Sequence, residues 1–118
     1  MTTVHDIDHE VSNMNQSILE QETIAYQGSG GVSADNRPFG FRPAFRNTQT
    51  GRVYPSRFAN GRPAPIHMID GLPDELVVTR SAAGKVTSVK HSVQSGFTLN
   101  GCFYDRDEAA RYLRVVSS

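Results

Sequence analysis

Residues 37–66 read RPFGFRPAFRNTQTGRVYPSRFANGRPAPI, and the period of this stretch decides the fold class. Phe39, Phe41, Pro43 and Phe45 alternate with Gly40, Arg42, Ala44 and Arg46, which is the spacing of a strand rather than a helix. The connection Asn47-Thr48-Gln49-Thr50-Gly51 follows, and the pattern resumes from Arg52 through Val53, Tyr54 and Pro55 to Phe58. This predicts a hairpin with one aromatic face and one face of guanidinium groups. Asn60-Gly61 supplies a second turn, because both residue types tolerate positive φ. Proline cannot donate to a ladder, so these strands are expected at a sheet edge or as broken extended segments.

The same stretch is polarised in charge. It carries Arg37, Arg42, Arg46, Arg52, Arg57 and Arg62 with no lysine and no acid, whereas residues 1–36 carry Asp6, Asp8, Glu10, Glu20, Glu22 and Asp35 with no lysine or arginine. The formal net charge of zero thus conceals an acidic block followed by a basic, aromatic one.

Downstream the signals are more regular. Leu76-Val77-Val78-Thr79 is strand-like, Ser81-Ala82-Ala83-Gly84 turns the chain, and Val86, Val89 and Val93 carry the return strand. Phe97-Thr98-Leu99 and Cys102-Phe103-Tyr104 flank Asn100-Gly101, the pair that favours a two-residue type I′ hairpin. Asp105 and Glu108 have the spacing of a capping box for a last helix, with Ala109, Tyr112, Leu113 and Val116 as its inward stripe. Upstream, Val11, Met14, Ile18, Leu19 and Ala25 fit a short helix from about Ser12 to Tyr26, with Asn13 and Gln16 as its cap. Gln27-Gly28-Ser29-Gly30-Gly31 then reads as a flexible joint.

The expected architecture is α+β. A short antiparallel β-meander occupies about residues 39–104, a C-terminal helix about 105–116 covers one face, and a short N-terminal helix docks on the other or reaches another chain. Residues 1–11 form a mobile acidic tail, 12–31 the N-terminal helix and Gly-rich joint, and 32–118 one small domain. A single cysteine, Cys102, excludes an internal disulfide framework and, with no signal peptide or apolar membrane-length run, points to a cytoplasmic protein.

No constellation for chemistry emerges. His5 and His9 beside Asp6, Asp8 and Glu10 are ligand-type residues, but no distant ligand completes a metal site. His67 and Asp70 have the types of an acid–base pair, and His91 lies near Ser92 and Ser95, yet neither set includes an activated nucleophile. Gly28-Ser29-Gly30-Gly31 lacks the lysine of a phosphate loop, so no cofactor is expected.

Arginine without lysine, mixed with aromatic rings, is the composition of a protein–protein hot spot. Arg37, Phe39, Arg42, Arg46, Arg52, Tyr54, Arg57 and Arg62 are therefore the expected contact residues for an acidic protein partner. The alternative is a sequence-tolerant single-strand nucleic-acid binder that uses the same guanidinium groups and rings. The acidic N-terminal segment either pairs with these arginines in cis or bridges a homodimer.

The run Gly61-Arg62-Pro63-Ala64-Pro65-Ile66-His67-Met68-Ile69-Asp70-Gly71-Leu72-Pro73-Asp74-Glu75-Leu76-Val77, with Gly96-Phe97 to Tyr104 and Glu108-Ala109-Ala110, resembles small uncharacterised proteins carried on bacterial mobile genetic elements. The resemblance covers about residues 38–112. It implies a cytoplasmic accessory protein that binds a host or phage complex, and it transfers no catalytic residue.

Overall fold

The computed structural model describes residues 15–117. Helix α1 spans Gln16–Tyr26 and a single helical turn, α2, spans Ser33–Asn36. Strands β1 (Arg42–Asn47) and β2 (Val53–Pro55) follow, then β3 (Val77–Arg80), β4 (Val86–Val89), β5 (Val93–Leu99) and β6 (Cys102–Asp105). Helix α3, Arg106–Ser117, closes the chain. The fold is α+β with antiparallel pairing throughout, as the sequence pattern indicates.

The strands do not run as one meander. β2-β1-β5-β6 form a four-stranded sheet, and β3-β4 stand apart as a two-stranded one. Val93, expected on the return strand with Val86 and Val89, instead opens β5, opposite Asn47 of β1. Lys90 donates its backbone N–H to Leu76 O and accepts that of Val93, a turn that hands the chain from one sheet to the other.

Pro43 is likewise not at an edge, since β1 lies between β2 and β5. The missing N–H falls where β2 ends. Ser56 donates to the Pro43 carbonyl, while the Ser56 carbonyl accepts from Ala64 instead. No ladder bond is lost, so the ring is accommodated inside the sheet. Pro55 does sit on the edge strand.

Residues opposite one another in an antiparallel pair point to the same side. The register therefore places Pro43, Phe45, Val93, Ser95 and Phe97 on one face, and Arg42, Ala44, Arg46, Gln94, Gly96, Thr98 and Phe103 on the other. The first face is the core side. Phe45 packs with Leu19, Ile69, Leu72, Leu76, Val86, Val89 and Val93, and Phe41 and Phe97 pack with Ala109 and Leu113. Each fully buried side chain of this size contributes roughly 1.5–3 kcal/mol, so this face carries most of the stability.

Helices α1 and α3 lie on that same face, which corrects the expectation that α1 takes the opposite one or reaches another chain. Leu19 of α1 joins the Phe45 cluster, and Glu22 accepts a hydrogen bond from Ser95 Oγ at 2.9 Å. The cap of α1 is Asn15, whose side chain accepts the Ile18 N–H at 2.9 Å; Asn13, Val11, Met14 and the 1–11 segment lie outside the described residues. In α3 the capping box forms as its spacing predicts, with Asp105 N–H donating to Glu108 and Glu108 N–H to Asp105. Val116 does not face inward; Ala110 is buried in its place.

The glycine run is a packed turn rather than a loose joint. Gly30 and Gly31 are buried, and a Cβ on Gly31 would stand 2.6 Å from the Tyr26 ring and 3.0 Å from the Arg106 carbonyl. Gly28 N–H donates to Asp35 at 2.7 Å, which closes the turn onto α2. Among the described residues, no helix is long and apolar enough to cross a membrane.

Candidate partner-binding surface

The alternation in β1 separates rings from cations by parity alone. Phe41 and Phe45 are 1% and 0% exposed on the core side, while Arg42 and Arg46 project from the other face. Helices α1 and α3 both pack on the core side.

Arg46 is held in place by that face. Its Nη2 donates to Gln94 Oε1 at 2.8 Å, and its Cζ lies 4.6 Å from the Phe103 ring centroid. Phe103 can lie down on the sheet because Gly96 has no side chain: a Cβ there would come within 2.3 Å of the ring. The Arg46 Nε is buried without an acceptor among the described residues, so the guanidinium is fixed by stacking and one amide rather than by saturated hydrogen bonding. A ring-stacked guanidinium of this kind loses little freedom on contact with a carboxylate. Asp105 belongs to this face by register, but its carboxylate accepts the Glu108 N–H and serves as a helix cap.

The other sequence-designated residues are dispersed. Arg37 and Phe39 lie in a 3-10 turn before β1, exposed, with Arg37 Nη2 donating to Pro65 O at 3.0 Å. Arg57 bridges Pro63 and donates to Gly61 O in the excursion that also exposes Arg62 and Phe58. Tyr54 is half-buried on the core side opposite Phe45, and its hydroxyl donates to Glu75 at 3.0 Å, with exposed Arg52 beside it. The set therefore divides into an open-face group, Arg42 and Arg46, and three separate neighbourhoods. Among the described residues, no carboxylate pairs with any of the six arginines; the ion pairs are Arg80–Asp74 and Arg106–Glu22.

Arg106 is the residue sequence reasoning missed. It is 4% exposed, at the start of α3, where a cation opposes the helix dipole; that misplacement is the signal of a tertiary role. Its Nη1 donates to Gly31 O at 2.7 Å, Nε to Ser95 Oγ at 3.3 Å, and Nη2 to His67 Nδ1 at 3.2 Å, with Glu22 at 3.5 Å. Burial pushes its pKa down while Glu22 opposes that shift.

His67 lies between the Phe45 and Phe97 rings, its Nε2–H donating to Gly96 O at 2.7 Å. With Nδ1 accepting from Arg106, both ring nitrogens are engaged and neither is free to move a proton. Burial and the adjacent guanidinium lower its pKa to about 3. His67 and Asp70, whose types fit an acid–base pair, do not meet; Asp70 accepts the Val86 N–H. His91 is exposed, and Cys102 is an exposed free thiol at the Asn100-Gly101 turn. His5 and His9 lie outside the described residues, among which no cluster of three metal-ligand side chains occurs.

Comparison with known proteins finds no matching family model, no matching curated protein and no matching solved structure.

Proposed function

We propose that this chain is a non-enzymatic binding module that docks the open face of its four-stranded sheet on an acidic protein surface. The observation that carries this reading is the Gly96–Phe103–Arg46 stack, a pre-oriented guanidinium on the face that also carries Arg42 four residues along β1, with no carboxylate paired to either among the described residues. Arginine fixed on a ring and surrounded by small or polar side chains is the anchor type found at the centre of protein interfaces. The engaged His67 and Arg106 favour a binding role over a catalytic one. In the setting that the resemblance of residues 38–112 suggests, the module is an accessory or inhibitory protein that occupies a host or phage complex.

The single-strand nucleic-acid alternative is weaker. Base stacking needs exposed rings beside the cations, and Phe41 and Phe45, the rings nearest Arg42 and Arg46 in sequence, are sealed in the core, while the exposed rings Phe39 and Phe58 lie off this face, in the separate neighbourhoods of Arg37 and of Arg57.

The test is quantitative capture from a bacterial host lysate with the wild-type chain and with Arg42→Glu and Arg46→Glu. A specific partner should be depleted roughly tenfold or more by either reversal, the loss expected at a hot spot. Equal recovery by all three chains would rule out this face. Retention of an oligothymidine strand with a steep salt dependence would favour the nucleic-acid reading instead.

A further inference from the structure

A second surface, apolar rather than cationic, lies on the helix side of the molecule, away from Arg42 and Arg46. One side of α1, from Gln16 through Leu19, Glu20 and Thr23 to Ile24, lines a groove of about 330 Å³, and the 66–67 segment lines it opposite. The Gln16 amide ties the two walls together, donating to His67 O at 3.0 Å. Leu19 is 2% exposed, whereas Ile24 is 71% and Ile66 51% exposed. Single exposed aliphatic side chains are ordinary on a protein surface. Two that line one groove with a buried leucine mark an interaction surface.

The chain immediately ahead of this groove has the sequence to fill it. Residues 1–14 lie outside the described residues, but Val4, Ile7, Val11 and Met14 recur at intervals of three and four, the apolar stripe of one helix face. In a single continuous helix the stripe would run on into Ile18 of α1. It is interrupted at Asn15, which is extended, with φ −150° and ψ 178°, and whose side chain caps α1. The chain therefore departs from the α1 axis at the Gln16 end of the groove. Met14 and Leu19 hold the N′ and N4 positions of a hydrophobic staple, the pairing that fixes the angle at which a chain enters a helix.

The lengths agree. At a rise of 1.5 Å per residue, Gln16 to Ile24 spans about 12 Å and Val4 to Val11 about 10 Å. Ser12, Asn13 and Met14 have the length of a loop between antiparallel helices.

Charge agrees as well. Arg37 donates to Pro65 O at 3.0 Å, which brings its exposed guanidinium to the Ile66 side of the groove, while exposed Glu20 lies on the α1 side. On a helix, Asp8 is one turn from Val4 and Val11, and Glu10 one turn from Ile7 and Met14, so each margin of the stripe carries a carboxylate.

We infer that the chain's own N-terminal segment occupies this groove, folding back on α1 as an antiparallel helix that seats Val4, Ile7 and Val11 between Ile24 and Ile66. A carboxylate of the segment then faces Arg37, and the open face with Arg42 and Arg46 stays uncovered. So short a tether gives the segment an effective concentration in the millimolar range, an advantage over any separate apolar partner.

The test is nuclear magnetic resonance of the full chain with label confined to the δ1 methyl groups of Ile7, Ile18, Ile24, Ile66 and Ile69. Nuclear Overhauser cross-peaks from Ile7 to Ile24 or Ile66 are expected. Ile7→Asp should remove them and move the Ile24 and Ile66 resonances, while the resonance of Ile69, buried in the core, stays in place and reports that the variant folds. Ile24→Asp should move the Ile7 resonance in return. Absence of the Ile7 cross-peaks from the wild-type spectrum would overturn the placement. A dimer in sedimentation equilibrium that Ile7→Asp dissociates would overturn it too, by giving the groove to a second copy.

Discussion

The two faces of the four-stranded sheet use arginine in opposite ways. On the covered face, Arg106 is sealed among Gly31, Ser95, His67 and Glu22 and ties α1, the glycine turn, β5 and α3 into one body. On the open face, Arg46 rests on Phe103 with a single amide partner, and Arg42 projects from the same face four residues along β1. The lesson is that neighbouring groups, more than residue type, decide whether a guanidinium holds a fold together or waits for a ligand. A buried cation must be matched on its donors, or its desolvation is uncompensated; the half-buried Arg46 bears that cost at its Nε alone, and exposed Arg42 not at all.

Removing Arg106 should give the largest effect. Arg106→Met leaves Glu22 without its cation and the Gly31 carbonyl and His67 Nδ1 without a donor, and is expected to cost about 3–5 kcal/mol in urea unfolding. If it cost no more than Arg46→Met, the contrast between the faces would collapse.

Acid should probe the same cluster. The folded His67 pKa, about 3, lies below the ordinary value of 6.5, so the unfolded chain binds the extra proton between those limits. His67's contribution is therefore complete above pH 6.5 and declines as pH falls toward 3, by on the order of 4 kcal/mol across the window. Unfolding free energies of the wild type and His67→Gln at several pH values check this: the variant should lose that part of the slope. Parallel profiles would mean that the imidazole takes up protons freely in the native state.

Next comes the glycine turn on the covered face. Gly31→Ala places a methyl group against the Tyr26 ring and is expected to destabilise by about 1–3 kcal/mol, the cost of overpacking. In a loose linker the same change would be neutral or slightly stabilising, so thermal unfolding separates the two descriptions.

The smallest stability change belongs to the open face. Arg46→Met gives up one amide contact and a ring interaction worth about 0.5–1 kcal/mol, and should shift the urea midpoint little. Its effect should appear instead in partner binding. A large loss of stability would place Arg46 with Arg106 as a structural residue.

Local chemistry made much of this legible in the sequence. Asn100 and Gly101 do adopt φ of 53° and 84°, as a type I′ turn demands, and Asp105 and Glu108 do cap α3. The separation of Phe41 and Phe45 from Arg42 and Arg46 followed from strand parity. What could not be read depends on residues far apart in the chain. Gln94 reaches Arg46 across 48 residues, and Gly31 meets Arg106 across 75. Composition alone cannot distinguish a glycine linker from a glycine turn packed under a tyrosine. Nor could parity within β1 reveal that Phe103, from a strand two places away, would support Arg46.

The seam between β1 and β5 has a consequence for how the chain is made. Each inner strand meets its outer neighbour through a short local turn, but the seam closes a loop of roughly 45 residues even at its nearest pair, Asn47 and Val93. Pairing of such low locality is slow relative to hairpin formation. During synthesis the rings of Phe41 and Phe45 emerge long before Phe97, Ala109 and Leu113 exist to cover them. The nascent polypeptide therefore carries a sticky, half-built hairpin until its final quarter leaves the ribosome, an interval in which chaperone capture competes with folding.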